Sequence, residues 1–95
     1  MAVYFCQISK TLYVADTYNH KIKVINNPTS LEPIKDWVGK IAPIQKVVDG
    51  PDCLMNEPSG LCSLVEDGEF KGIYVADTGN DCIRFVNSSG IMITP

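Results

Sequence analysis

Apolar residues fall in short runs along the chain, separated by small clusters of Asp, Asn, Gly, Pro and Ser. Two runs, LYVA at Leu12–Ala15 and IYVA at Ile73–Ala76, are β-branched and aromatic with no polar interruption. That composition suits strands covered on both faces. Asp16-Thr17-Tyr18-Asn19 and Asp77-Thr78-Gly79-Asn80 follow them. Asp and Asn accept hydrogen bonds from nearby backbone and tolerate left-handed conformations, so each group is expected to form a tight turn, its Asp capped by N–H groups just downstream. Beyond the turn the pattern alternates with a period of two. Ile22, Val24, Ile83 and Phe85 share one side, and Lys21, Lys23 and Arg84 the other, where the cations read as a solvated sheet surface. Strand, turn and strand make a hairpin, and the chain contains it twice.

The two hairpins are one unit repeated. Leu12–Asn26 and Ile73–Asn87 align without a gap at an offset of 61 residues, with eight of fifteen positions identical, among them Tyr13/Tyr74, Ala15/Ala76, Asp16/Asp77, Asn19/Asn80 and Ile22/Ile83. A repeat governs the fold, because one unit cannot bury its apolar faces alone. Strands are predicted near Ala2–Phe5, Leu12–Ala15, Lys21–Ile25, Ile34–Val38, Leu61–Val65, Ile73–Ala76, Cys82–Val86 and Ile91–Ile93. Cys6–Thr11 and Asp67–Gly72 read as links, the second with an Asp-Gly turn signal. Asn26 to Ser30 is a turn cluster, and Leu31–Gly39 an outer strand with Trp37 and Val38 packed inward. In the connector 40–56, Pro43 and Pro51 exclude a long helix but leave room for a short helical turn, and Ile41, Ile44, Val47 and Val48 are expected against the sheets. The same offset sets Ala2–Phe5 against Ser63–Glu66, so the chain is expected to be a fragment that begins inside a strand and does not fold stably alone.

YVADT-x-N followed by an alternating strand resembles the NHL repeat, the blade unit of a class of β-propellers. Asn56-Glu57-Pro58-Ser59-Gly60-Leu61-Cys62 is similar to the opening of a blade's innermost strand, and Asp49-Gly50-Pro51 to the connector between blades. The resemblance implies an all-β fold of about one and a half to two four-stranded antiparallel blades. It divides the chain into a blade at 1–39, a connector at 40–56 and a second blade at 57–95. It further implies a cytosolic, non-enzymatic scaffold completed by further blades, with a thioredoxin-like domain outside this chain. Two alternatives stay open: a metal-dependent propeller enzyme of the amidating-lyase or lactonase kind, and an RNA-binding propeller.

Composition narrows these. A net charge of −3 over 95 residues gives no footprint for nucleic acid or an anionic membrane. No apolar run is long enough to span a bilayer. Four cysteines without C-x-x-C spacing and a single histidine, His20, do not make a zinc site; the thiols are expected to be reduced, and no cofactor is expected. Asp16, Asn19, Asp77 and Asn80 are read as turn residues, not catalytic groups. Tyr18 and His20 differ most between the copies and lie at a hairpin tip, so they are the candidate contacts for a protein partner.

Overall fold

The computed structural model describes residues 1–27 and 33–95. They form two four-stranded antiparallel sheets and no α-helix. The first contains β1 (Ala2–Cys6), β2 (Thr11–Asp16), β3 (Lys21–Asn26) and β4 (Lys35–Gly39), in that spatial order. The second contains β5 (Pro58–Glu66), β6 (Glu69–Asp77), β7 (Cys82–Asn87) and β8 (Met92–Ile93), again in chain order. The expected strands are all present. Pro28, Thr29 and Ser30 of the turn cluster, and Leu31 and Glu32 at the start of the expected outer strand, lie outside the described residues.

The hairpins between β2 and β3 and between β6 and β7 have the same register: Tyr13 pairs with Val24 as Tyr74 does with Phe85, and Ala15 with Ile22 as Ala76 does with Ile83. The equivalence shifts in the first strand of each sheet. Ala2 pairs with Ala15 and Gly60 with Ala76, so Ala2 stands in the place of Gly60, not of Ser63. The links explain the shift. Residues 7–10 join β1 to β2, whereas β5 and β6 run on to a two-residue turn at Asp67 (φ 53°) and Gly68 (φ 76°). Positive φ at both central residues makes the turn whose twist matches the flanking strands, and Asp-Gly favours it.

The sheets pack face to face. Tyr4, Tyr13, Ala15, Ile22, Val24 and Val38 from the first meet Leu61, Ile73, Val75, Val86 and Met92 from the second. Tyr4 Oη and Ser63 Oγ, 2.6 Å apart, cross the seam, and Trp37 lies 5.2 Å from the Tyr13 ring. The connector contributes Cys53 and Met55 to this core. It contains no helical turn, because its backbone is extended and bridged: Val48 pairs with Leu54, and Gly50 with Met92 on the outer edge of the second sheet. Of the four residues the pattern suggested, Ile41, Ile44 and Val47 are exposed and only Val48 is half-buried; the buried apolar anchors are Cys53, Leu54 and Met55. Among the described residues no helix is long and apolar enough to cross a membrane.

Candidate functional site

Each hairpin turn is one 3-10 turn, at Thr17–Asn19 and at Thr78–Asn80, ending in a left-handed residue, His20 (φ 56°) or Asp81 (φ 55°). The backbone N–H groups of these residues return to the carbonyls of Thr17 and Thr78. The turn carboxylates therefore do not cap N–H groups just downstream, contrary to expectation. Asn19 Nδ2 donates to Asp16 Oδ2 at 3.0 Å and Asn80 Nδ2 to Asp77 Oδ2 at 2.9 Å. Each carboxylate also pairs with the cation seven residues on: Asp16 with Lys23 at 3.4 Å and Asp77 with Arg84 at 2.7 Å.

The two pairs differ in depth. Lys23 and Asp16 are partly open to solvent, whereas the side chains of Arg84 and Asp77 are both 0% exposed. Arg84 is thus not on a solvated face, as the alternation suggested. That face of the second sheet lies against the first sheet and the connector. A buried guanidinium needs acceptors, and Arg84 finds the carbonyls of Leu54 and Val48, each at 2.8 Å, and the carboxylates of Asp77 and Asp49. Asp49 in turn accepts Thr94 Oγ1 at 2.7 Å, which ties the connector to the end of the second sheet. Asp77 Oδ1 takes the Asn56 N–H at 2.7 Å, and the Asn56 carbonyl takes the Gly79 N–H at 2.7 Å. Sequence reasoning missed Arg84, Asp49 and Asn56 as one cluster. Its signal was the repeated spacing of Asp and a cation seven residues apart.

The hairpin tips explain why the copies diverge at 18 and 79. A Cβ at Gly79 would stand 2.5 Å from Asn56 Cγ and 2.7 Å from its carbonyl oxygen, so no side chain fits. Tyr18 meets no such obstacle and is 80% exposed. His20, by contrast, is engaged: its Nδ1 accepts the Glu57 N–H at 3.0 Å, and Thr17 Oγ1 donates to the Pro58 carbonyl at 2.9 Å. The first tip is thereby fixed to the start of β5. Ser59 Oγ bonds Thr78 Oγ1.

Asp16 and Asp77 share no partner, since each is held within its own sheet's turn or by the connector. Asn19 holds the Asp16 carboxyl below its ordinary value of 3.8, with help from Lys23. Asp49 is also lowered: burial opposes ionisation there, but the hydrogen bonds from Thr94 and Arg84 outweigh it. Among the described residues no group of three or more His, Cys, Asp or Glu side chains gathers as a metal site. All four cysteines are free thiols.

No protein-family model matches the chain. Curated proteins do. The chain is 37% identical over 83 residues to NHL repeat-containing protein 2 of Homo sapiens, covering 87% of this chain and 11% of that protein. It is 39% identical over 80 residues to the Gallus gallus protein of the same name, covering 82% and 10%. It is 33% identical over 82 residues to Protein SUPPRESSOR OF QUENCHING 1, chloroplastic, of Arabidopsis thaliana, covering 86% and 7%. The chain thus spans about a tenth of the length of the NHL repeat-containing proteins it matches. Together with the duplicated hairpin and the two four-stranded antiparallel sheets, these similarities place it in the NHL-repeat family of β-propeller proteins.

Proposed function

We propose that this chain is part of a non-enzymatic propeller scaffold that offers a protein-binding surface at its hairpin tips. In this reading residues 1–39 and 57–95 act as blades joined by the connector 40–56. They belong with further blades and a cytosolic thioredoxin-like domain, as the likeness to NHL repeat-containing protein 2 implies. The observation that carries the reading is Tyr18, an 80% exposed aromatic on a turn held from both sides by hydrogen bonds. A large rigid side chain on a fixed turn gives contact area at little entropic cost, which is how rigid aromatic anchors act at interfaces. The net charge of −3 favours a protein partner over a nucleic acid.

The test is affinity capture with wild type and Tyr18→Ala. The expected result is loss of a specific partner with an unchanged melting temperature. An unaltered partner set overturns the reading. His20→Ala is the less selective variant, because it also removes the acceptor for the Glu57 N–H.

A further inference from the structure

The two hairpin tips are tied to the same stretch, residues 56–59 at the start of β5, but by different chemistry. The second tip uses groups that do not titrate near neutral pH. The Gly79 N–H donates to the Asn56 carbonyl at 2.7 Å, and Ser59 Oγ bonds Thr78 Oγ1. The first tip uses one such group and one imidazole. Thr17 Oγ1 donates to the Pro58 carbonyl at 2.9 Å, and the Glu57 N–H donates to His20 Nδ1 at 3.0 Å. A ring nitrogen accepts only while it carries no proton. Protonation puts a hydrogen on Nδ1, and two donors then face each other. Histidine is the side chain whose charge ordinarily changes between about pH 5 and about pH 8.

The groups around His20 supply no competing switch in that range. Within its own hairpin Asp16 pairs with Lys23 at 3.4 Å, and Lys21 pairs with Asp36 of β4 at 3.2 Å. At the end of β4, a Cβ on Gly39 would stand 2.5 Å from the His20 carbonyl oxygen, and Lys40 and Asp52 line a small recess with Gly39. Glu57 and, on the second tip, Asp81 add exposed carboxylates. Carboxylates and ammonium groups ordinarily keep their charge over that interval, which leaves the imidazole as the group that changes.

We propose that protonation of His20 is a pH gate on the tip that carries Tyr18. As pH falls the Glu57 tie opens, and Thr17 alone holds the first tip to β5, while the second tip stays fixed. The use of this gate rests on the partner-binding reading, because a loosened turn costs Tyr18 the pre-ordering that makes it an anchor. A protein partner is therefore held at neutral pH and released in mild acid.

Hydrogen exchange of the full-length protein tests the gate, read at single amides by fragmentation mass spectrometry and corrected for the intrinsic effect of pH. The Glu57 amide is expected to lose protection about 2- to 10-fold between about pH 8 and about pH 5, the worth of one hydrogen bond, with the Gly79 amide unchanged. His20→Asn keeps an acceptor: asparagine tolerates the left-handed backbone at this position (φ 56°), and its Oδ1 is bonded to Cγ as Nδ1 is. This variant is expected to protect Glu57 equally at both pH values. Constant protection in wild type, the same loss in His20→Asn, or a parallel loss at Gly79 overturns the gate. Affinity capture at the two pH values separates gate from partner. A Tyr18-dependent partner is expected to leave wild type in acid and to stay on His20→Asn, and its equal loss from both overturns control by His20. A partner set that never depends on Tyr18 fails the partner-binding reading, whereas the exchange measurement decides the gate by itself.

Discussion

Asp77→Ala and Asp16→Ala remove the same atoms from equivalent turns, yet their costs are expected to differ severalfold. Asp77 accepts three hydrogen bonds, from Asn56 N at 2.7 Å, Asn80 Nδ2 at 2.9 Å and Arg84 at 2.7 Å. Breaking a buried pair by deleting one partner costs about 3–5 kcal/mol, because the other charge stays buried. An orphaned buried N–H adds about 1–3 kcal/mol when nothing replaces its acceptor. Asp49 stays beside Arg84 and relieves part of this, so the total is expected at about 3–5 kcal/mol. Asp16 loses a partly solvated pair and one side-chain hydrogen bond, together about 1 kcal/mol. Denaturant unfolding at fixed protein concentration, followed by the single tryptophan Trp37, measures both. Domains of this kind have only about 5–15 kcal/mol in total, so Asp77→Ala is expected to lose much of its folded population. The double variant Asp77→Ala/Arg84→Leu is expected to regain part of the loss by removing the stranded charge. Equal destabilisation by the two single variants, or no recovery in the double, refutes a buried ion pair as the cause.

Gly79→Ala is expected to destabilise by about 1–3 kcal/mol through overpacking against Asn56, read by the same unfolding titration; a neutral result would mean that the turn and Asn56 separate freely. A thiol-reactive dye is expected to label exposed Cys62 fastest and the buried Cys6 and Cys53 slowest, with burial also pushing the Cys53 thiol up. Mass spectrometry of partly labelled protein gives the order. Because the folded-state value of Asp16 lies below 3.8, its contribution to stability is complete above that pH and is lost as pH falls through the lower folded value. Asn19→Ala removes the main cause of that shift and is expected to flatten the acid limb of the stability–pH curve, measured by unfolding at a series of pH values.

The hairpins were legible in the chain because their information is local. A β-branched run, an Asp-Thr-x-Asn turn and an alternating strand each follow from neighbouring residues, and the 61-residue repeat fixed their number and register. The family resemblance, carried by those same residues, anticipated the pair of four-stranded sheets. Which side of each strand would be covered was not legible. Ile22 and Ile83 are the same residue at the same repeat position, yet one is buried in the seam and the other is half open. Lys23 and Arg84 invert in the same way. Period-two alternation separates the two faces of a strand but does not say which neighbour each face meets. That is decided when two copies of one unit stack in the same sense, so that opposite faces of the repeat come together. The connector shows the same limit. Its isoleucines looked like anchors, but Ile41 and Ile44 are exposed, and it is the Val48 and Leu54 carbonyls that meet the buried Arg84 side chain. Only the tertiary structure brings together residues 49, 56, 77 and 84, because the demand that joins them, acceptors for a buried charge, arises after the sheets have packed.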